Sequence, residues 1–96
     1  MSKTVFYFMP TYSVREVPLV DVVGKNKLKT AKKNAEERYR NGQKLVWAEN
    51  PDWDGQDANG TPCWRILAWE SKEDAKNDAG EKSVGCLFWF GERDLD

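Results

Sequence analysis

Three short apolar runs, residues 5–9 (VFYFM), 63–70 (CWRILAWE) and 83–90 (SVGCLFWF), constrain the fold of this chain more than any other feature. Each is too short for a membrane span or a signal-peptide core and is rich in the β-branched and aromatic residues that favour strands. Side chains alternate across a strand. Phe6 and Phe8 therefore share one face, with Val5, Tyr7 and Met9 on the other; Trp64, Ile66 and Ala68 oppose Arg65, Leu67 and Trp69. Apolar residues on both faces mark strands covered on both sides, and Phe6, Phe8, Phe88 and Phe90 are assigned to the core. A fourth strand is expected over residues 43–49, with Leu45 and Trp47 on one side.

Between these runs the period changes. Leu28, Ala31, Ala35 and Tyr39 recur at spacings of three, four and four, predicting a helix over residues 25–41 that ends at a left-handed cap on Gly42. Residues 71–80 (SKEDAKNDAG) predict a second helix, with Ser71 and Asp74 as a variant capping box and Gly80 as its stop. Pro10 and Pro18 break residues 10–24, in which 19–23 can form a short edge piece. Residues 50–62 (NPDWDGQDANGTP) read as a turn-rich loop. The resulting order, β-α-β-β-α-β, predicts an α+β fold. Four antiparallel strands, five if residues 19–23 join, carry two helices on one face in ferredoxin-like order.

The chain has 96 residues and no Ser/Gly/Pro-rich divider, so a single domain over 1–96 is expected. The N-terminal segment reads as neither a leader nor an anchor, which predicts a cytoplasmic protein with no membrane partner. Cys63 and Cys86 stand alone without a CxxC pair, and the chain contains no His. Neither a zinc site, a disulfide framework nor a cofactor is implied, and the commonest general base is missing, so no catalytic residue is assigned. Gly24-Lys25 is not a phosphate-binding loop, because Leu19 and Asn26 stand where that motif needs Gly and Ser/Thr. Residues 82–89 (KSVGCLFW) offer Val84 and Cys86 where an RNA-recognition octapeptide needs aromatics, so the sheet aromatics are read as core.

Charge is more informative than composition. The net charge of −1 hides a division: residues 1–44 carry ten Lys/Arg against four Asp/Glu, and residues 45–96 five against twelve. Two surfaces follow. Glu49, Asp52, Asp54 and Asp57 surround Trp53, with Trp47 nearby, and an aromatic among acids suits a protein partner with a basic surface. The same acids lack the terminal bidentate carboxylate of a calcium loop, since the twelfth position from Asp52 is Cys63. The alternative to an exposed anchor is Trp53 folded back on the sheet as a lid. The second surface is a strip of Lys25, Lys29, Lys32, Lys33 and Arg40 on one flank of the first helix, an anion-binding or nucleic-acid face. Lysines in that N-terminal half oppose the helix dipole at about 0.3–1 kcal/mol each, while Lys32/Glu36 and Lys33/Glu37 pairs soften the strip.

The expected function is a small non-catalytic protein that binds a protein partner stoichiometrically, as phage and plasmid regulators or inhibitors do. A nucleic-acid binder using the first helix is the alternative, and a small ligand-binding or enzymatic domain is the second. The oligomeric state is left open.

Overall fold

The computed structural model describes residues 3–11, 17–18, 22–23, 26–77 and 82–93. Its first half comprises β1 (Lys3–Thr4), β2 (Phe6–Pro10), β3 (Val17–Pro18), β4 (Val22–Val23) and α1 (Lys27–Tyr39). The second comprises β5 (Val46–Trp47), β6 (Asp52–Gln56), β7 (Pro62–Trp69), α2 (Lys72–Asn77) and β8 (Gly85–Phe90). The chain is an α+β fold whose main elements follow the expected β-α-β-β-α-β order along the sequence, with both helices on one face of a mostly antiparallel sheet. In space the strands run β3-β2-β8-β7-β5, and β6 also pairs with β7. The C-terminal strand thus lies between β2 and β7, which keeps every neighbouring pair antiparallel. β1 and β4 form a separate antiparallel pair.

The alternation read from sequence sets the two faces of this sheet. Phe6, Phe8, Ile66, Leu87 and Trp89 point to the helix side and pack with Ala31 and Ala35 of α1, while Leu28, Trp47, Ala48 and Trp64 border the cluster. Trp89 is fully buried against Phe6, ring centroids 5.4 Å apart, and its indole N–H donates to the Glu92 carbonyl at 2.8 Å. Cys63, Cys86 and Phe88 form the opposite cluster with Tyr7, Met9 and Leu67, and Tyr7 stacks on Phe88 at 5.2 Å. Phe90 departs from its core assignment. It is 41 % exposed, because the last position of β8 lies at the end of the sheet, where fewer side chains cover it.

Several boundaries differ from the sequence reading for identifiable reasons. α1 is shorter than residues 25–41: it starts after Asn26, whose φ is 58°, and Asn41 and Gly42, at 54° and 86°, turn the chain out of it. The Glu36 carbonyl accepts from both the Arg40 and Gly42 N–H groups, closing the helix at the expected glycine. The side chain of Tyr39 lies outside the described residues. The Ser71 hydroxyl accepts the Asp74 N–H at 3.1 Å, as the capping pattern predicts, and Gly80 lies outside the described residues.

The strand expected over 43–49 contracts to two residues, although the Ala48 N–H still donates to the Leu67 carbonyl at 2.9 Å. Of residues 19–23, Val22 and Val23 pair with β1 and residues 19–21 are outside the described set; the strand beside β2 is β3 instead, with Pro18 opposite Tyr7. Proline is tolerated there because β3 is an edge.

The largest correction concerns residues 50–62, expected as loop. Residues 52–56 are strand β6, joined to β7 by a tight turn. The Asp57 carboxylate accepts the Asn59 and Thr61 N–H groups at 2.8 and 2.9 Å, and Gly60, at φ 82°, supplies the left-handed residue. Aspartate and glycine disfavour strands, but backbone pairing with β7 outweighs that preference at an edge, where charged side chains remain in water.

Candidate functional site

β6 places Asp52, Trp53 and Asp54 on one sheet edge, in register with the start of β7. Asp52 lies opposite Arg65 and Trp53 opposite Trp64. Alternation sends Trp53 to the Trp64 side of the sheet and Asp52 to the Arg65 side. The Asp54 carboxylate is 4.0 Å from Arg65 Nε, and Gly55, at φ 97°, lies in the bulge that follows. The acids therefore flank Trp53 along the strand but face away from it.

Trp53 is 63 % exposed, and among the described residues no hydrogen bond or ring contact holds its indole. The other large apolar side chain exposed among the described residues is Phe90, which pairs with Cys63 at the same end of β7. Both exposed aromatics thus reach one corner of the sheet, on opposite faces. On the Phe90 side a shallow pocket of about 290 Å³ is lined by Met9, Asp54, Arg65, Cys86, Phe88 and Phe90 among others. Burial pushes the Cys86 thiol above its ordinary value of 9.0, with Arg65 lowering it and Asp54 raising it as smaller influences. The thiol stays protonated near neutrality and is a poor nucleophile.

The remaining members of the acidic group have other surroundings. Glu49 is exposed, and Asp57 serves the β6–β7 turn. Trp47 is not part of the acidic edge. It is half-buried on the helix side, edge-on to Phe8 at 6.4 Å, and its indole N–H donates to Glu36 Oε2 at 3.1 Å.

The basic strip is regrouped by the fold. Lys29 and Lys33 are exposed on α1, and Lys32 lays its ammonium 5.9 Å from the Trp47 ring centroid. Arg40 instead pairs with Glu70 at 2.7 Å, and Lys25 lies outside the described residues. Lys44, which sequence reasoning missed, completes a groove of about 880 Å³ with Lys29, Lys32, Lys33 and Trp47. Its only sequence signal was a lysine just beyond the helix-ending glycine. Lys27, just before these lysines in sequence, is buried, and its ammonium lies 3.3 Å from Thr4 Oγ1.

A further hollow of about 370 Å³, bordered by Phe8, Ser83 and Val84, contains the mutually paired Arg40 and Glu70. Among the described residues, no three His, Cys, Asp or Glu side chains stand close enough to hold a metal ion, and no helix is long and apolar enough to cross a membrane. Comparison with protein-family models, curated proteins and solved structures finds no match.

Proposed function

We propose that this chain is a non-catalytic binding protein that engages a protein partner with a basic surface through the corner of the sheet formed by β6 and the end of β8. The observation that carries this reading is the placement at that corner of the two exposed aromatics, Trp53 on one face and Phe90 on the other, with Asp52 and Asp54 on the Phe90 side. Interfaces draw most of their energy from a few aromatic anchors, while surrounding charges steer association. Here the partner clasps an edge: Trp53 anchors one side, and Phe90 with the two aspartates meets it on the other. Strand addition at β6 is disfavoured, since Pro51, the Gly55 bulge and the aspartates are all features that block edge pairing. A non-catalytic role is supported by the absence of His from the sequence and by the protonated, buried Cys86.

The test is affinity capture from native-host extract with wild-type and Trp53→Ala baits, followed by binding kinetics on the captured protein. Trp53→Ala is expected to raise the dissociation rate by about 30-fold, the equivalent of ~2 kcal/mol. Asp52→Asn with Asp54→Asn is expected mainly to slow association and flatten its salt dependence. Because Trp53 is exposed, its replacement should leave the melting temperature of the isolated protein nearly unchanged. Unchanged affinity together with a drop of several degrees would instead make Trp53 a structural lid and end the anchor reading.

A further inference from the structure

We infer that the groove along α1 binds the sugar-phosphate backbone of single-stranded nucleic acid, without regard to base sequence. Four lysines line it among the described residues: Lys29, Lys32 and Lys33 from the helix and Lys44 from the segment entering β5. Its acids oppose them less than their number suggests. Glu36 lines the groove, but its Oε2 already accepts the Leu45 N–H at 2.8 Å and the Trp47 indole N–H at 3.1 Å, so the dipoles of those two donors offset part of its field; Glu37 also lines the groove.

The positive end of α1 adds to this field. Asn26 makes no side-chain cap, the first turn contains no acid, and both Asn26 and Thr30 line the groove. Short polar side chains among lysines are the groups that position phosphates and sugars.

The chemistry of the walls selects the ligand class. A protein interface needs a desolvated apolar centre. The one aromatic that lines it among the described residues is already engaged: the Trp47 indole N–H is bonded to Glu36, and the Lys32 ammonium lies over its ring. An electrostatic groove without an apolar anchor suits a polyanion. Among the described residues no arginine lines it, Arg40 being paired with Glu70, so the fork that reads guanine is missing and binding is sequence-independent. A groove lined by α1 on one side and by Lys44 and Trp47 on the other suits a single strand, whose backbone such positively charged grooves follow.

The test is fluorescence anisotropy with labelled 30-nucleotide oligo(dT) and mixed-sequence strands, a 30-base-pair duplex, and a polyglutamate peptide of matched charge. The wild-type protein should bind both single strands equally. Its affinity should fall roughly 50-fold between 50 and 200 mM salt, as four neutralised phosphates dictate for single strands. Lys29→Gln with Lys33→Gln and Lys44→Gln should remove most of that affinity and salt dependence while leaving the far-ultraviolet circular dichroism and melting temperature intact. Trp53→Ala should bind as wild type does. Absence of salt-dependent binding at 50 mM, undiminished binding by the triple variant, or loss on Trp53→Ala would overturn the proposal. Tighter binding of the duplex or of polyglutamate would overturn its choice of ligand.

Discussion

Gly85 shows how tightly individual positions are set. It pairs with Pro10, and a Cβ there would meet Phe8 Cζ at 2.5 Å and the Met9 carbonyl oxygen at 2.9 Å. The Phe8 ring is buried and the carbonyl belongs to the neighbouring strand, so neither can yield cheaply. Gly85→Ala is expected to destabilise the protein by about 1–3 kcal/mol, measured by urea unfolding, as overpacking does elsewhere. Its neighbour Cys86 couples stability to pH. Burial raises its folded-state pKa above the ordinary 9.0, so the folded protein retains a proton that the unfolded chain releases. The resulting stabilisation is complete below pH 9 and is lost as pH rises through the folded value. Urea midpoints between pH 7 and 10.5 should therefore fall more steeply for wild type than for Cys86→Ala; parallel curves would disprove the linkage.

At the scale of elements, Glu36 ties α1 to the edge of the sheet. Its carboxylate accepts the Leu45 backbone N–H and the Trp47 indole N–H, while its carbonyl closes the helix on Arg40 and Gly42. Glu36→Ala leaves two part-buried donors without this acceptor and is expected to cost about 1–3 kcal/mol, with faster amide hydrogen exchange at Leu45. Glu36→Gln keeps an acceptor and should cost less. The period of four that suggested a Lys32/Glu36 pair was real, but Glu36 bonds forward into β5 and Lys32 lies over Trp47. β6 teaches the same lesson. Its Asp, Gly and Trp composition reads locally as a turn, and only pairing with β7 makes it a strand.

Across the whole molecule, the division of charge along the sequence becomes two distinct surfaces. Trp47 marks their separation: four residues before Pro51 in sequence, it belongs to the wall of the lysine groove, while Asp52, Trp53 and Asp54 form the acidic edge. The groove and the corner present opposite charge and different chemistry, one a field without an apolar anchor and the other two aromatics beside acids. Each can therefore be tested through variants that leave the other in place. The separation also explains a net charge near zero: it is the near-cancellation of a basic N-terminal half and an acidic C-terminal half.

The sequence by itself determined the strands at 5–9, 63–70 and 83–90, the facing of their side chains, the Leu28/Ala31/Ala35 stripe, and the Ser71 and Gly42 caps. These depend on local periodicity and on bonds between near neighbours, which composition encodes directly. Only the tertiary structure decided that β8 lies between β2 and β7, that Phe90 emerges at the sheet's end, that Trp53 is exposed rather than folded back, and that Arg40 leaves the lysines for Glu70 while Lys44 joins them. Each of these outcomes depends on register and on pairing between residues far apart in the chain, for which no local spacing carries a signal.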